Sequence, residues 1–437
     1  MLTGARRVSS RRRWPLRCVL LNLDLTWRYV RSLRASDACP DRAGAGRLGK
    51  LVTGESAVQL TDEQQQIRDV ARSFAQREIA PFAAEWDRAQ GAPRELYAKM
   101  ADVGLMGVMV DPCWGGSGAD FVSYALAIEE ISAADGGISN MMAANNSPVA
   151  VAIEQSGTDQ QRRDYLTKLT SGEWLGCIHL TEPHTGSDAA AIRTRAERDG
   201  DEYVLSGHKA FITAGSSADV AMIVAVTDPG AGKRGMTTFI TPTDNPGYRV
   251  IAKENKLGHR TNDTCQVVFE DMRVPSTDVL GEIGRGLGIA LGNLSLGRIG
   301  VAAQATGGAR AALKAAHAYA QERETFGRPI VEHQAISFTL AEMATQIEAA
   351  RQLYLHAAQM RDQGLECARE ASMAKLFASE MAERVASKAI QIHGGCGYLD
   401  DYPVEKIYRD VRVYQIYEGT SEVQKMLIGR MLDGVDW

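Results

Sequence analysis

The helical texture of this 437-residue chain breaks once, after Trp174, and that break limits the folds open to it. Five β-type runs follow one another, Gly176–Thr181, Glu202–Ser206, Val220–Thr227, Thr237–Thr241 and Cys265–Glu270, with no helical stretch between them. Parallel strands need long, usually helical crossovers, so the clustering favours an antiparallel module over βαβ units. Asp199-Gly200 reads as a hairpin turn whose two central residues take positive φ.

Helical patterns flank this module. Upstream, Thr61 and Gln64 form a capping box, Ile67, Val70, Ala71 and Phe74 share one face, and Pro81 closes the helix. Further helical stretches cover Arg94–Val103, Phe121–Ala134 and Asp159–Thr170, and the Gly- and Pro-rich segment from Asp111 to Gly118 is a loop. Downstream, Ala-rich helical stretches cover Ile289–Arg323, Glu332–Gln363, Cys367–Ile392 and Ser421–Met431, joined by short links. The expected architecture is multidomain α+β: an N-terminal helical domain over 58–174, a central antiparallel β-sheet domain over 175–286 and a C-terminal four-helix bundle over 287–437.

Residues 1–57 stand apart. Over 1–55, eleven Arg and one Lys face Asp24, Asp37, Asp41 and Glu55, a balance of +8, so a net charge of −5 leaves −13 on the rest. This stretch has three open readings: a disordered leader from an untrimmed start, a mitochondrial transit peptide (1–23 are free of acids), or a basic arm. The acidic body disfavours nucleic acid as a partner. Seven scattered cysteines without a CxxC pair argue for a reducing compartment, the bacterial-type cytoplasm or, with a transit peptide, the mitochondrial matrix. The chain has no run of 18 apolar residues, so no membrane span is expected.

Gly284, Gly286, Gly288 and Gly292 do not complete a dinucleotide-binding GxGxxG, because Ile289 and Leu291 stand where glycine is needed. Leu180-Thr181-Glu182-Pro183-His184-Thr185-Gly186-Ser187-Asp188 offers hydroxyls and main-chain N–H groups after a strand, and alone it reads equally as a surface turn. Near the C-terminus, His393-Gly394-Gly395-Cys396-Gly397 permits close approach of a flat or phosphate-bearing ligand. Glu418 precedes Gly419 and a helix start, with Ser421 and Gln424 as a candidate capping box.

Together with Gly207-His208-Lys209-Ala210-Phe211-Ile212-Thr213 and with Arg323-Glu324-Thr325-Phe326-Gly327 followed by Glu332-His333-Gln334, these blocks occur in the order of the acyl-CoA dehydrogenase family, short- or medium-chain type, which the chain resembles over roughly 58–434. The resemblance implies oxidation of an acyl-CoA to its trans-2-enoyl-CoA with bound FAD. It implies Glu418 as the base that removes the α-proton, with its main-chain N–H polarising the thioester carbonyl. Members of the isovaleryl type carry the base in the first bundle helix, where this chain has Gly297.

For FAD, the resemblance implies Ile178, Leu180, Thr181, Gly186, Ser187, Phe211, Ile212 and Thr213. It adds Arg323, Phe326 and Gln334, then Gln391, Ile392, His393, Gly394 and Gly395 from a neighbouring subunit, and Thr420 and Glu422 beside the cofactor. For the acyl-CoA it implies Ser187 and Arg298 on the pantetheine and nucleotide, and Gly419 near the thioester. A homotetramer (a dimer of dimers) and an electron-transferring flavoprotein as acceptor complete the picture. Phe211, where many relatives have Trp, and His179 and His184 depart from the family pattern. A flavin oxidase or monooxygenase of the same fold, or a non-catalytic relative that binds FAD or nucleic acid, are the alternatives.

Overall fold

The computed structural model describes residues 59–432, without the side chains of Leu294 and Ser295. The readings placed on 1–57 lie outside the described residues.

Helix α1 (Asp62–Phe74) opens on the expected capping box: Thr61 Oγ1 accepts from Gln64 N at 3.2 Å and Gln64 Oε1 from Thr61 N at 3.0 Å. A wider turn at Ala75–Ile79 then ends the helix just before Pro81. Helices α2 (Ala83–Ala89) and α3 (Glu95–Asp102) lead to α4 (Phe121–Ser132), whose N-cap Asp120 accepts from Ser123 N and from Gln64 Nε2 at 2.7 Å. All residues of α4 are buried. Helices α5 (Gly136–Ala144) and α6 (Val151–Ser156) follow; six of the nine positions of α5 and the first three of α6 are buried. A mostly buried helix has little polar face to give it a period, which is why α5 escapes a search for amphipathic stripes, and α6 is only six residues long.

The sheet has eight strands: β1 (Gly176–His179), β2 (Arg195–Asp199), β3 (Glu202–Thr213), β4 (Val220–Val226), β5 (Met236–Pro242), β6 (Tyr248–Lys253), β7 (Thr264–Pro275) and β8 (Val279–Leu280). Their order is β6-β7-β3-β2-β4-β5-β8, with β1 beside β4. The sheet is mixed rather than purely antiparallel, since β1 pairs parallel with β4. The β2–β3 turn is also one residue later than expected. Asp199 pairs with Glu202, so the central residues are Gly200 and Asp201, and of these Gly200 takes positive φ.

Helix α7 (Gly286–Glu322) starts the C-terminal domain. It is long and apolar enough to cross a bilayer by length and composition, yet it packs against α4 and against α8 (Gln334–Asp362) and α9 (Ala368–His393) as a core helix. Two shorter helices, α10 (Pro403–Val411) and α11 (Ser421–Arg430), lie against α9. One continuous hydrophobic core joins α1, α4 and α5, strands β3 and β7, and the long bundle helices.

Candidate active site

Glu418 sits between a short 3₁₀ turn (Arg412–Gln415) and α11, with φ at +55°, and Gly419 follows at +93°. Consecutive left-handed residues, the first of them not glycine, persist only where surroundings hold them. Here Gln424 Nε2 donates to both Glu418 O (3.1 Å) and Gly419 O (2.9 Å), and Lys375 Nζ of α9 donates to Gly419 O at 2.7 Å. Gln424 and Lys375 are both fully buried. The expected cap shifts by one residue: Thr420, not Ser421, accepts from Val423 N, which frees Gln424 for the loop.

Glu418 as a whole residue is partly buried. Its Oε2 is buried without a hydrogen-bond partner. Burial pushes the carboxyl up to about 7, against the opposing pull of Arg298 and Lys375. Gly297 makes the space: a Cβ there would stand 2.9 Å from Glu418 Oε2 and 3.1 Å from Cδ. A side-chain carboxylate at 297 and the one at 418 therefore exclude each other. Arg298 lies within electrostatic reach of Glu418, half-buried, its Nε unpartnered and its charge disfavoured by burial.

The sheet supplies a second wall. Lys209 on β3 is fully buried, and its Nζ donates to Leu180 O (3.1 Å) and Glu182 Oε1 (2.9 Å). Glu182 also accepts from Arg193 N (2.7 Å) and Thr194 N (2.9 Å). Burial brings Lys209 down to about 8 even with Glu182 beside it. This pair fixes the turn that carries half-buried Thr181 and exposed Gly186 and Ser187. His184 belongs to the turn itself, with Nε2 at 3.1 Å from Ala191 O. His179 is a core residue, fully buried, with Nε2 at 3.1 Å from Tyr248 Oη and held neutral by burial at about 3.

Beyond Lys209 the β3–β7 register slips before Ile212. Ala210 N turns instead to Thr181 O at 3.0 Å. Phe211 in this bulge has φ +58° and is 67% exposed, while Ile212 points into the core. Bulges of this kind re-aim a side chain.

Helix α5 ties the two walls together. Asn140 Nδ2 donates to Thr213 Oγ1 at 3.4 Å, and the adjacent Ser139 Oγ accepts from Gln304 Nε2 at 3.1 Å. Gln304 Oε1 in turn accepts from the hydroxyl of Tyr417, next to Glu418, at 2.6 Å.

The remaining expected residues lie in two exposed segments. Phe326 and Gly327, both at positive φ, form the turn of the Glu324–Thr325/Arg328–Pro329 hairpin, with Phe326 98% exposed. Arg323 and Gln334 beside it are exposed. In the second segment Gln391, Gly394 and Gly395 are exposed, but Ile392 and His393 are not available as side chains. His393 stacks on Tyr319 at 4.4 Å and its Nδ1 lies 2.8 Å from Ala389 O. Thr420 caps α11 and Glu422 is exposed in its first turn. Nothing in the sequence marks Lys375 or Tyr124 as neighbours of the carboxyl, because a lysine or a tyrosine in a helical stretch ordinarily reads as surface or core. Cavities of about 420 and 750 Å³ elsewhere on the molecule do not include Glu418 in their linings.

The residues fit a flavin nucleotide. An outward-turned aromatic ring (Phe211) stands beside hydroxyls (Thr181, Thr213), and exposed Arg323 and two open glycines suit the pyrophosphate end. A buried, unpartnered carboxyl suits proton abstraction rather than structure.

The chain belongs to the acyl-CoA dehydrogenase family, matching its N-terminal domain over residues 61–173, its middle domain over 177–272 and its C-terminal domain over 284–432. It is an oxidoreductase of that FAD-dependent flavoprotein family. It is 46% identical to an acyl-CoA dehydrogenase of Bacillus subtilis (strain 168), over 86% of this chain and 99% of the relative. It is 42% identical to the mitochondrial short-chain specific acyl-CoA dehydrogenase of Bos taurus, over 87% and 92%. The solved butyryl-CoA dehydrogenase of Megasphaera elsdenii superimposes with a TM-score of 0.84 at 42% identity, covering 86% of this chain and 99% of that one.

Proposed function

We propose that this chain oxidises short straight-chain acyl-CoA thioesters to trans-2-enoyl-CoA, with Glu418 as the base. One observation carries the reading: a carboxyl whose Oε2 is buried without a partner and which burial raises to about 7, in the family's position for the base. A general base works best with a pKa near working pH. Arg298 and Lys375 keep the carboxyl from rising further, so that enough of it is ionised at neutral pH. Glu418 takes the α-proton, and its main-chain N–H donates to the thioester carbonyl, a contact worth about 2.7–4 kcal/mol in oxyanion-type sites. FAD, when bound, accepts the β-hydride. Thr181, Ser187, Phe211 and Thr213 hold the ring and its side chain. Arg323, Phe326 and Gln334 meet the nucleotide end, with Gln391, Gly394 and Gly395 supplied by a second copy of the chain. The short acyl length draws on the names of the butyryl-CoA and short-chain relatives. An electron-transferring flavoprotein is the proposed acceptor.

Glu418→Gln tests this directly. The variant should purify yellow, with FAD bound, and lose kcat/KM on butyryl-CoA by at least about a thousandfold. Since the ionised form is the working one, kcat/KM of the unaltered enzyme should fall about tenfold per pH unit below about 7. Turnover that survives in the variant would move the base elsewhere.

A further inference from the structure

Resting on that reading, we propose that the ring of Tyr124 is the end wall of the acyl pocket and sets the longest chain the enzyme accepts. Gly297 and Gly300 lie one turn apart on the same face of α7. A Cβ at 297 would strike the Glu418 carboxyl, and a Cβ at 300 would come 3.3 Å from Tyr124 Oη. The base and the tyrosine hydroxyl therefore rest against the same glycine-lined strip, about 4.5 Å apart along the helix. Tyr124 comes from α4, is fully buried, and its hydroxyl has no hydrogen-bond partner. It stands close enough to Glu418 for the two charges to oppose each other.

The direction of the acyl tail follows from charge. Arg298 and Lys375 stand close enough to the carboxyl to act on its charge, and an alkyl chain gains nothing beside cations. Tyr417, next in the chain, is tied to Gln304. The strip along Gly297 and Gly300 carries no side chain of its own, which leaves it for carbon, and Tyr124 stands one helical turn along it. A butyryl chain ends in that distance, whereas an octanoyl chain does not.

Steady-state kcat/KM on butyryl-, hexanoyl- and octanoyl-CoA measures the limit. A methylene that a hydrophobic pocket must accept or refuse is worth about 10–200-fold. Tyr124→Ala and Tyr124→Leu should raise the octanoyl-to-butyryl ratio at least tenfold. Tyr124→Phe should leave it unchanged, because the hydroxyl has no partner to lose. Gly300→Ala, which presses on the ring from the other side, should depress hexanoyl-CoA before butyryl-CoA. The proposal is overturned by a ratio unchanged within twofold in Tyr124→Leu that still oxidises butyryl-CoA, or by an unaltered enzyme that already takes octanoyl-CoA as well as butyryl-CoA. If the unaltered enzyme oxidises no acyl-CoA at all, the functional reading falls and this one with it.

Discussion

Lys375 is buried to the last atom, and its ammonium donates to a single peptide carbonyl, that of Gly419. Burial draws it down to about 8, with Glu418 pulling the other way. It acts on the proposed base twice, by holding the left-handed Glu418-Gly419 corner and by favouring the ionised carboxylate. Removing the charge should let desolvation lift Glu418 further. In Lys375→Met the acidic limb of the kcat/KM profile should move above 7, by about one unit, while Lys375→Arg restores most of the shift. A purely structural lysine would lower kcat without moving the limb, and that result would strip it of the electrostatic role. Glu418 itself was legible as a residue type beside a glycine and a helix start. The lysine was not, because its contact crosses from α9 to a loop 44 residues later, and no local pattern records such a distance.

At the scale of elements, strand β3 carries the most information per residue. Lys209 pins it to the 180–182 turn, and two residues later the bulge throws Phe211 outward. Lys209→Met would strand the Glu182 carboxylate, whose remaining partners are the main-chain N–H groups of Arg193 and Thr194 and, at 3.8 Å, His184 Nε2. Breaking a buried pair from one side costs about 3–5 kcal/mol. Denaturant unfolding should report a loss of that order, with part recovered by adding Glu182→Gln. Full additivity of the two changes would mean the pair is not coupled. The five strand runs could be read from their β-branched and aromatic content, but the bulge could not. Its cause is a register slip against β7, more than fifty residues downstream. The same logic hid α5: its Asn140 and Ser139 link Thr213 to the Glu418 loop from a segment with no hydrophobic period.

On the scale of the whole molecule, the single chain leaves its most costly surface uncovered in the C-terminal domain. Phe326 is 98% exposed on a turn whose two central residues are both left-handed, the geometry of a tight two-residue hairpin loop. Tyr398, beside Gly394 and Gly395, is 87% exposed. Aromatic residues are enriched where one chain's surface meets another's. The proposed occupant is a second copy with its cofactor, since the Arg323–Gln334 and Gln391–Gly395 segments are then each half of one nucleotide site. Phe326→Ser tests this without disturbing the fold, because the turn depends on Gly327 and the hairpin pairing, not on the ring. The variant should retain less FAD after gel filtration and sediment as a smaller species at low protein concentration, while the helical circular dichroism of freshly prepared protein is unchanged. Dilution should aggravate both losses together, as mass action demands when cofactor and subunit share a site. If FAD content fell at an unchanged sedimentation coefficient, the ring would serve the cofactor within one chain, and the second copy would have to be sought at another face.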